Sequence, residues 1–139
     1  MVVIGGGPVG ERKTRGLLAA GAAVTLISPE ATPQLAEWAA AGQIEWQQRG
    51  YRPGDLSGAA LAFAATSQRD VNAQIAADAA ALNILCNVAD APDEGSFHLP
   101  AVHRQSGLTV AVSTHGGSPG QAAQLRDQLA GWLGEHYEL

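Results

Sequence analysis

The first ten residues contain glycines at a spacing that can hold a phosphate group. Gly5, Gly7 and Gly10 form the pattern Gly-x-Gly-x-x-Gly directly after the apolar run 2–4. In such a turn the first glycine permits the tight bend, the second lets the backbone approach a pyrophosphate, and the third lets helix and strand pack closely. The N–H groups that begin the next helix then face the phosphates. The pattern predicts dinucleotide binding, and a purely structural glycine turn is the alternative.

The residues after the second predicted strand bear on which dinucleotide binds. Ser28 stands where an acidic residue commonly contacts the ribose, and the first carboxylate is that of Glu30, after Pro29. No arginine stands there to accept a 2′-phosphate. The pattern favours NAD over NADP, and Glu30 as a solvated turn residue is the alternative.

A second candidate for chemistry is Asp90, in the stretch CNVADAP after a predicted strand. Because the carboxyl ends of parallel strands face the ligand crevice, we expect its carboxylate to lie at that edge. It could accept a proton from a substrate or bind a metal weakly; a loop aspartate that caps nearby amides is the alternative. The four histidines have no spacing typical of a metal cage, so no resident metal is predicted.

Strands and helices that could position these residues alternate along the first ninety residues. We expect strands at 2–4, 22–28, 43–48, 59–66 and 83–90, and helices at 8–20, 33–42 and 67–82. This alternation is typical of a doubly wound parallel sheet. It stops after Asp90: 91–107 show no helix, 108–114 predict a lone strand, and Ser118 with Pro119 begins a final helix.

Composition limits the classes of partner. A net charge of −5 gives no overall field that would attract nucleic acid or an anionic membrane. No apolar run approaches the roughly 20 residues of a membrane span. The single cysteine, Cys86, excludes an internal disulfide and suits a reducing compartment. We therefore expect a soluble cytoplasmic protein that binds neither nucleic acid nor membrane.

Four stretches resemble the dehydrogenase/chelatase module of siroheme synthases, a family that includes stand-alone precorrin-2 dehydrogenases. They are VVIGGGPVGERKTRGLLAAGAAVTLISPE, AFAATSQRDVNAQIAADA, ILCNVADAP…SFHLPA and LTVAVSTHGGSPGQAAQLRDQL. The motifs GGGxVxxRK, CNVxDxP and AVSTxGxSP, in this order, are far more specific than the glycine spacing alone. The resemblance implies an α/β fold, a Rossmann-like doubly wound parallel sheet followed by a short dimerisation-type β/α segment.

The resemblance also implies a reaction, the NAD-dependent oxidation of precorrin-2 to sirohydrochlorin. In several members the same site then inserts ferrous iron. Asp90 matches the family's catalytic aspartate, which would act as a general base and accept pyrrole protons during metal entry. Pro8 and Val9 would lie on the pyrophosphate turn, and Pro29 with Glu30 near the adenosine ribose. The predicted cofactor-binding residues are Gly5, Gly7, Pro8, Val9, Gly10, Ser28, Pro29, Glu30 and Thr66.

The same resemblance implies a division of the chain into an NAD-binding domain, 1–92, and a segment, 93–139. The segment would contain the dimerisation part and the start of a helical part. Family members usually carry a short segment before the first strand and a small helical domain after this point, and we expect both to lie outside the chain.

The region 91–114 corresponds to the part that pairs across a homodimer in the family. The predicted lone strand 108–114, LTVAVST, is also largely apolar, and such a strand needs a partner to cover it. Two alternatives to the dehydrogenase remain at this point: a dinucleotide-sensing module without catalysis, and a chelatase without redox activity.

Overall fold

The computed structural model describes residues 1–137. These form two compact units: Met1–Phe97, and a second unit that begins at His98. Among the described residues, no helix combines the length and apolar character that crossing a membrane requires.

The first unit is a parallel sheet with helices on both faces, which confirms the Rossmann-like doubly wound fold. Its elements are β1 Val2–Ile4, α1 Pro8–Ala19, β2 Thr25–Ile27, α2 Pro33–Ala40, β3 Glu45–Gln47, β4 Leu61–Ala64, α3 Arg69–Ala81 and β5 Leu85–Val88. The five strands follow the order β3-β2-β1-β4-β5, and every neighbouring pair is parallel. The chain order therefore reverses between β1 and β4, where open α/β sheets form their ligand crevice.

Because side chains point alternately to the two faces of the sheet, each face has its own apolar core. In β1, Val2 and Ile4 belong to the cluster that contains Ile75 of α3. Val3 points the other way, into the cluster that contains Leu35 of α2. Because successive strand residues face opposite sides, one short apolar strand supplies both cores.

The first unit extends past the predicted boundary at residue 92. Its last residues are held to β5: the N–H of Ser96 donates to the carbonyl of Cys86 at 2.8 Å, and the N–H of Cys86 donates to Ser96 Oγ at 2.7 Å. The ring of Phe97 packs edge-on against Phe63 of β4, with centroids 5.7 Å apart. These contacts place the end of the unit at Phe97.

The second unit is a strand hairpin with a helix packed against it. Its elements are β6 Ala101–Gln105, β7 Leu108–Val112 and α4 Pro119–His136. The prediction of a lone strand is wrong, because β7 pairs with β6 in antiparallel register. Ser106 and Gly107 connect them with φ of 48° and 84°, the positive angles of a two-residue hairpin turn. α4 begins as predicted, with the Ser118 hydroxyl accepting from the N–H of Gln121 at 3.4 Å.

Substitution of Gly5 tests how closely the backbone after β1 approaches Ala65, the residue after β4. Its φ is +118°, and a Cβ there would lie 2.2 Å from the carbonyl oxygen of Ala65. We expect Gly5→Ala to lower the free energy of unfolding by roughly 2–4 kcal/mol, from strain plus overpacking. Gly16→Ala, at an open helical position, should instead raise it by about 0.5–1 kcal/mol. Urea unfolding measures both, and equal midpoints for Gly5→Ala and the parent chain would contradict the close approach.

Candidate functional site

The glycine loop divides into buried glycines that pack against backbone and one exposed glycine. A Cβ at Gly10 would lie 1.9 Å from the carbonyl oxygen of Gly5. A Cβ at Gly6 would lie 2.0 Å from the carbonyl oxygen of Glu30. At Gly7 a Cβ would meet nothing within 4 Å. Gly5, Gly6 and Gly10 are therefore required by packing, whereas Gly7 leaves open space above the loop.

Helix α1 starts at this loop without a side-chain cap. Gly7 is its N-cap and forms no side-chain hydrogen bond, and Pro8 takes the first helical position. The first backbone hydrogen bond of the helix runs from the N–H of Glu11 to the carbonyl of Gly7, at 2.9 Å. The helix N-terminus and its positive dipole end thus face the open space over Gly7, which suits an anion.

A cavity of about 790 Å³ lies at the carboxyl ends of β1, β2 and β4, within the volume range typical of small-molecule sites. Eight of the predicted cofactor-binding residues line it: Gly5, Gly7, Pro8, Val9, Ser28, Pro29, Glu30 and Thr66. Gly10 and Asp90 are not among the lining residues. Gly10 is buried against the backbone of Gly5. The structure thus brings the predicted cofactor set together at the switch point of the sheet.

The lining residues that sequence reasoning missed include Gly6, Thr32 and Tyr51. The N–H of Thr32 donates to the carbonyl of Gly6 at 2.9 Å, which joins the glycine loop to the segment after β2. The hydroxyl of Tyr51 donates to Asp78 Oδ2 at 2.6 Å. Burial and the Asp78 carboxylate raise the pKa of Tyr51, so its phenol stays neutral. The run of three glycines was the available signal for Gly6, while Tyr51 follows no motif.

The charges around the cavity bear on the choice between NAD and NADP. Among the described residues that line it there is no Arg or Lys, and Glu30 is the charged one. Arg49, next to the lining residue Gly50, donates to both carboxylate oxygens of Asp55 at 2.8 Å. These hydrogen bonds hold the pKa of Asp55 below its usual value. The guanidinium of Arg49 is therefore already paired with a carboxylate.

Asp90 lies outside the cavity lining but is linked to it by a single buried side chain. Its Oδ1 accepts a hydrogen bond from Asn72 Nδ2 at 3.0 Å and is 2.7 Å from Arg69 Nη1. Arg69 also pairs with Glu94 at 2.5 Å. Asn72, completely buried in α3, forms hydrogen bonds to the backbone and hydroxyl of Thr66 as well. The side chain of Asp90, 41% exposed, is thus separated from the cavity wall by one residue, Asn72.

The other reactive side chains form no comparable cluster. Cys86 is buried in β5, and burial raises the pKa of its thiol. Within residues 1–137, no three His, Cys, Asp or Glu side chains are grouped so that they could hold a metal ion.

Fold and site together define a dinucleotide-binding domain. Residues 1–101 match the protein family described as "Putative NAD(P)-binding". The chain belongs to this NAD(P)-binding family.

Two individual relatives match nearly the whole chain. The chain is 43% identical over 136 residues to Siroheme synthase 3 of Aeromonas hydrophila subsp. hydrophila, covering 98% of this chain and 29% of that protein. It is 42% identical over 137 residues to a siroheme synthase of Pseudomonas putida, covering 99% of this chain and 30% of that protein. It therefore spans about a third or less of the length of these relatives.

A solved structure shares the fold along almost the whole chain. It is titled "SirC, precorrin-2 dehydrogenase" and superposes with a TM-score of 0.76 at 28% sequence identity. The match covers 99% of this chain and 65% of that one.

The residues present fit a dinucleotide. The loop backbone is exposed at Gly7, Pro8 and Val9, and no Cβ stands over Gly7. An uncapped helix start lies beside them. A pyrophosphate needs this combination of close backbone access and N–H groups.

We expect Gly7→Val to abolish NAD binding without unfolding the chain. The branched side chain would occupy the open space over the loop, while its backbone, at φ −83° and ψ −172°, accepts any residue. Calorimetric titration measures affinity, and circular dichroism checks the fold. Gly16→Val, also facing open space but along α1, is the matched control and should bind normally. Unchanged affinity in Gly7→Val would place the pyrophosphate elsewhere.

Proposed function

We propose that this chain oxidises precorrin-2 to sirohydrochlorin with NAD as the hydride acceptor. The siroheme synthase relatives and the precorrin-2 dehydrogenase structure support this substrate. The observation that carries the proposal is the position of Asp90, whose carboxylate is joined through buried Asn72 to Thr66 in the cavity wall. A base held beside a dinucleotide cavity is what a dehydrogenase needs and what a sensor does not.

The dehydrogenation removes two hydrogens from the tetrapyrrole, one as a hydride and one as a proton. NAD supplies the hydride acceptor when it is bound. In the proposed step the proton goes to the carboxylate of Asp90. Oδ1 is already occupied by Asn72 and Arg69, and no described residue forms a hydrogen bond to Oδ2. Oδ2 is therefore the oxygen we assign as the proton acceptor.

The proposed cofactor is NAD rather than NADP. A 2′-phosphate is commonly held by an arginine near the end of the second strand. The described cavity lining offers Ser28 and Glu30 there, and its only charged side chain is acidic. A dianionic phosphate beside Glu30 would meet repulsion instead of a counter-charge.

Ferrous iron insertion at the same site is part of the proposal, with iron as a substrate. Chelation releases the pyrrole protons of sirohydrochlorin, and we assign the carboxylate of Asp90 as their acceptor. Dehydrogenation and chelation would then depend on one residue.

Asp90→Asn tests the proposal because it keeps the side-chain shape and removes the basic oxygen. We expect NAD affinity to stay within about twofold and the rate of dehydrogenation to fall by roughly 10²–10⁴-fold, the usual loss of general-base catalysis. The assay follows sirohydrochlorin absorbance after mixing the chain with precorrin-2 and NAD. Asp93→Asn, an exposed aspartate of the neighbouring turn, removes the same charge and should remain active.

One outcome would contradict the role assigned to Asp90, and another would contradict the proposed reaction. Full activity in Asp90→Asn would return Asp90 to the role of a loop residue. A parent chain that binds NAD tightly but converts no precorrin-2 would support the dinucleotide-sensing module.

The chain is further proposed to act as a cytoplasmic homodimer through the region 96–114. Within it, Leu99 is 50% exposed and Leu108 is 37% exposed, which leaves apolar surface for a contact. Phe97 does not contribute, because it packs against Phe63 in the first unit. The pairing of β6 with β7 removes the argument from an unpaired strand, so the exposed leucines now carry the proposal.

We expect the parent chain to be a dimer at tens of micromolar and the double variant Leu99→Arg/Leu108→Arg to be a monomer, as measured by light scattering. Burying two guanidinium groups in an apolar contact is costly, whereas the same groups are harmless at exposed positions. Leu82→Arg, at a leucine 46% exposed at the end of α3, should leave the dimer intact. A parent chain that is monomeric throughout this range would rule out the homodimer.

A further inference from the structure

Asn72 is the one completely buried polar side chain of α3, and all of its hydrogen-bonding groups are used within the first unit. Its Oδ1 accepts from the N–H of Thr66 at 3.1 Å and from Thr66 Oγ1 at 2.7 Å. Its Nδ2 donates to the carbonyl of Thr66 at 3.0 Å and to Asp90 Oδ1 at 3.0 Å. One amide thus joins a residue of the cavity wall to the carboxylate at the end of β5.

Chemistry fixes the orientation of this amide. The N–H of Thr66 can only donate, so it must face the amide oxygen of Asn72. The carbonyl of Thr66 and the carboxylate of Asp90 accept, so they must face the NH₂ group. A flipped amide would set two acceptors against its oxygen and a donor against its NH₂. No charged side chain and no shorter polar one could satisfy all of these partners at once.

We propose that Asn72 is a positioning residue for the reaction: it holds Asp90 by Oδ1 and Thr66 by its backbone as one unit. This inference rests on the proposed function, in which Asp90 is the base. Arg69 contacts the same oxygen, so both contacts leave the other oxygen, Oδ2, free to face a substrate. Because Thr66 lines the cavity, a change at Asn72 reaches both the dinucleotide and the base.

Asn72→Asp is the sharpest single substitution, because it preserves shape and removes the two donated hydrogen bonds. Its new oxygen would face the carboxylate of Asp90 and the carbonyl of Thr66. We expect the urea midpoint to drop and NAD affinity to fall by about tenfold, the effect of one lost buried hydrogen bond. We also expect kcat to fall by about 10²-fold or more, because a mispositioned base loses general-base catalysis. Asn83→Asp, at an exposed residue just after α3, should leave NAD affinity and kcat unchanged and lower the urea midpoint only slightly, through its charge near the helix C-terminus.

The exchanged pair Asn72→Asp/Asp90→Asn separates positioning from a general loss of packing. In this double variant the amide at position 90 can donate to the carboxylate at position 72, so the contact is remade with its partners reversed. We expect the urea midpoint to recover part of what Asn72→Asp loses, because the contact with position 90 returns. NAD affinity should stay reduced, because the carboxylate at position 72 still cannot donate to the carbonyl of Thr66. Dehydrogenation should stay at the level of Asp90→Asn, because no base stands at position 90.

The double-mutant cycle has results that would overturn the inference. Additive losses in the urea midpoint would mean that Asn72 and Asp90 do not interact. If Asn72→Asp does not fold, the exchanged variant must fold, and failure of both also counts against the inference. The proposed function fails by a different result: a parent chain that binds NAD but converts no precorrin-2. Loss of activity in Asp90→Asn with an additive cycle would leave the proposed function standing and remove the role of Asn72.

Discussion

The close backbone approach between the end of β1 and the end of β4 is the constraint on which the site depends. The N–H of Ala65 donates to the carbonyl of Ile4 at 2.8 Å, and the next residue, Gly5, has no room for a side chain against Ala65. From this point α1 and α3 leave towards opposite faces of the sheet, each with its own apolar core. The crevice between them exists because the chain turns apart at the two central strands. The glycine loop, the helix start and Thr66 all lie on its rim.

Local pattern was sufficient to predict most of the first unit. Each predicted strand of this unit is present; β1 has the predicted bounds and the other four are shorter than predicted, as at Thr25–Ile27 within 22–28. Hydrophobic pattern marks what is buried, whereas the hydrogen-bonded part of a strand is set by its neighbours' length. The glycine spacing predicted the loop because each glycine is needed for a local reason: two close backbone contacts and one open surface.

The pattern failed where pairing or burial depends on residues distant in sequence. β6 (AVHRQ) lacks a clear alternation, and its pairing with β7 was signalled only by the Ser106–Gly107 turn. Asn72 reads in sequence as an ordinary polar residue of a helix. Its burial follows from the packing of α3 against β4 and β5, and its partners lie 6 and 18 residues away. The position of Asp90 at the end of β5 could be predicted from the motif. Its connection to Thr66 through the side chain of Asn72 could not.

The central claim is that the glycine loop holds the pyrophosphate of NAD and directs its nicotinamide towards Asp90. A crystal structure of the chain with NAD tests this most directly. The account predicts pyrophosphate oxygens at about 3 Å from backbone N–H groups of the loop and first turn of α1. It also predicts the adenosine beside Ser28–Glu30 and the nicotinamide on the side of Thr66 and Asp90. A dinucleotide bound in the reverse direction, with its nicotinamide beside Glu30, would contradict the account.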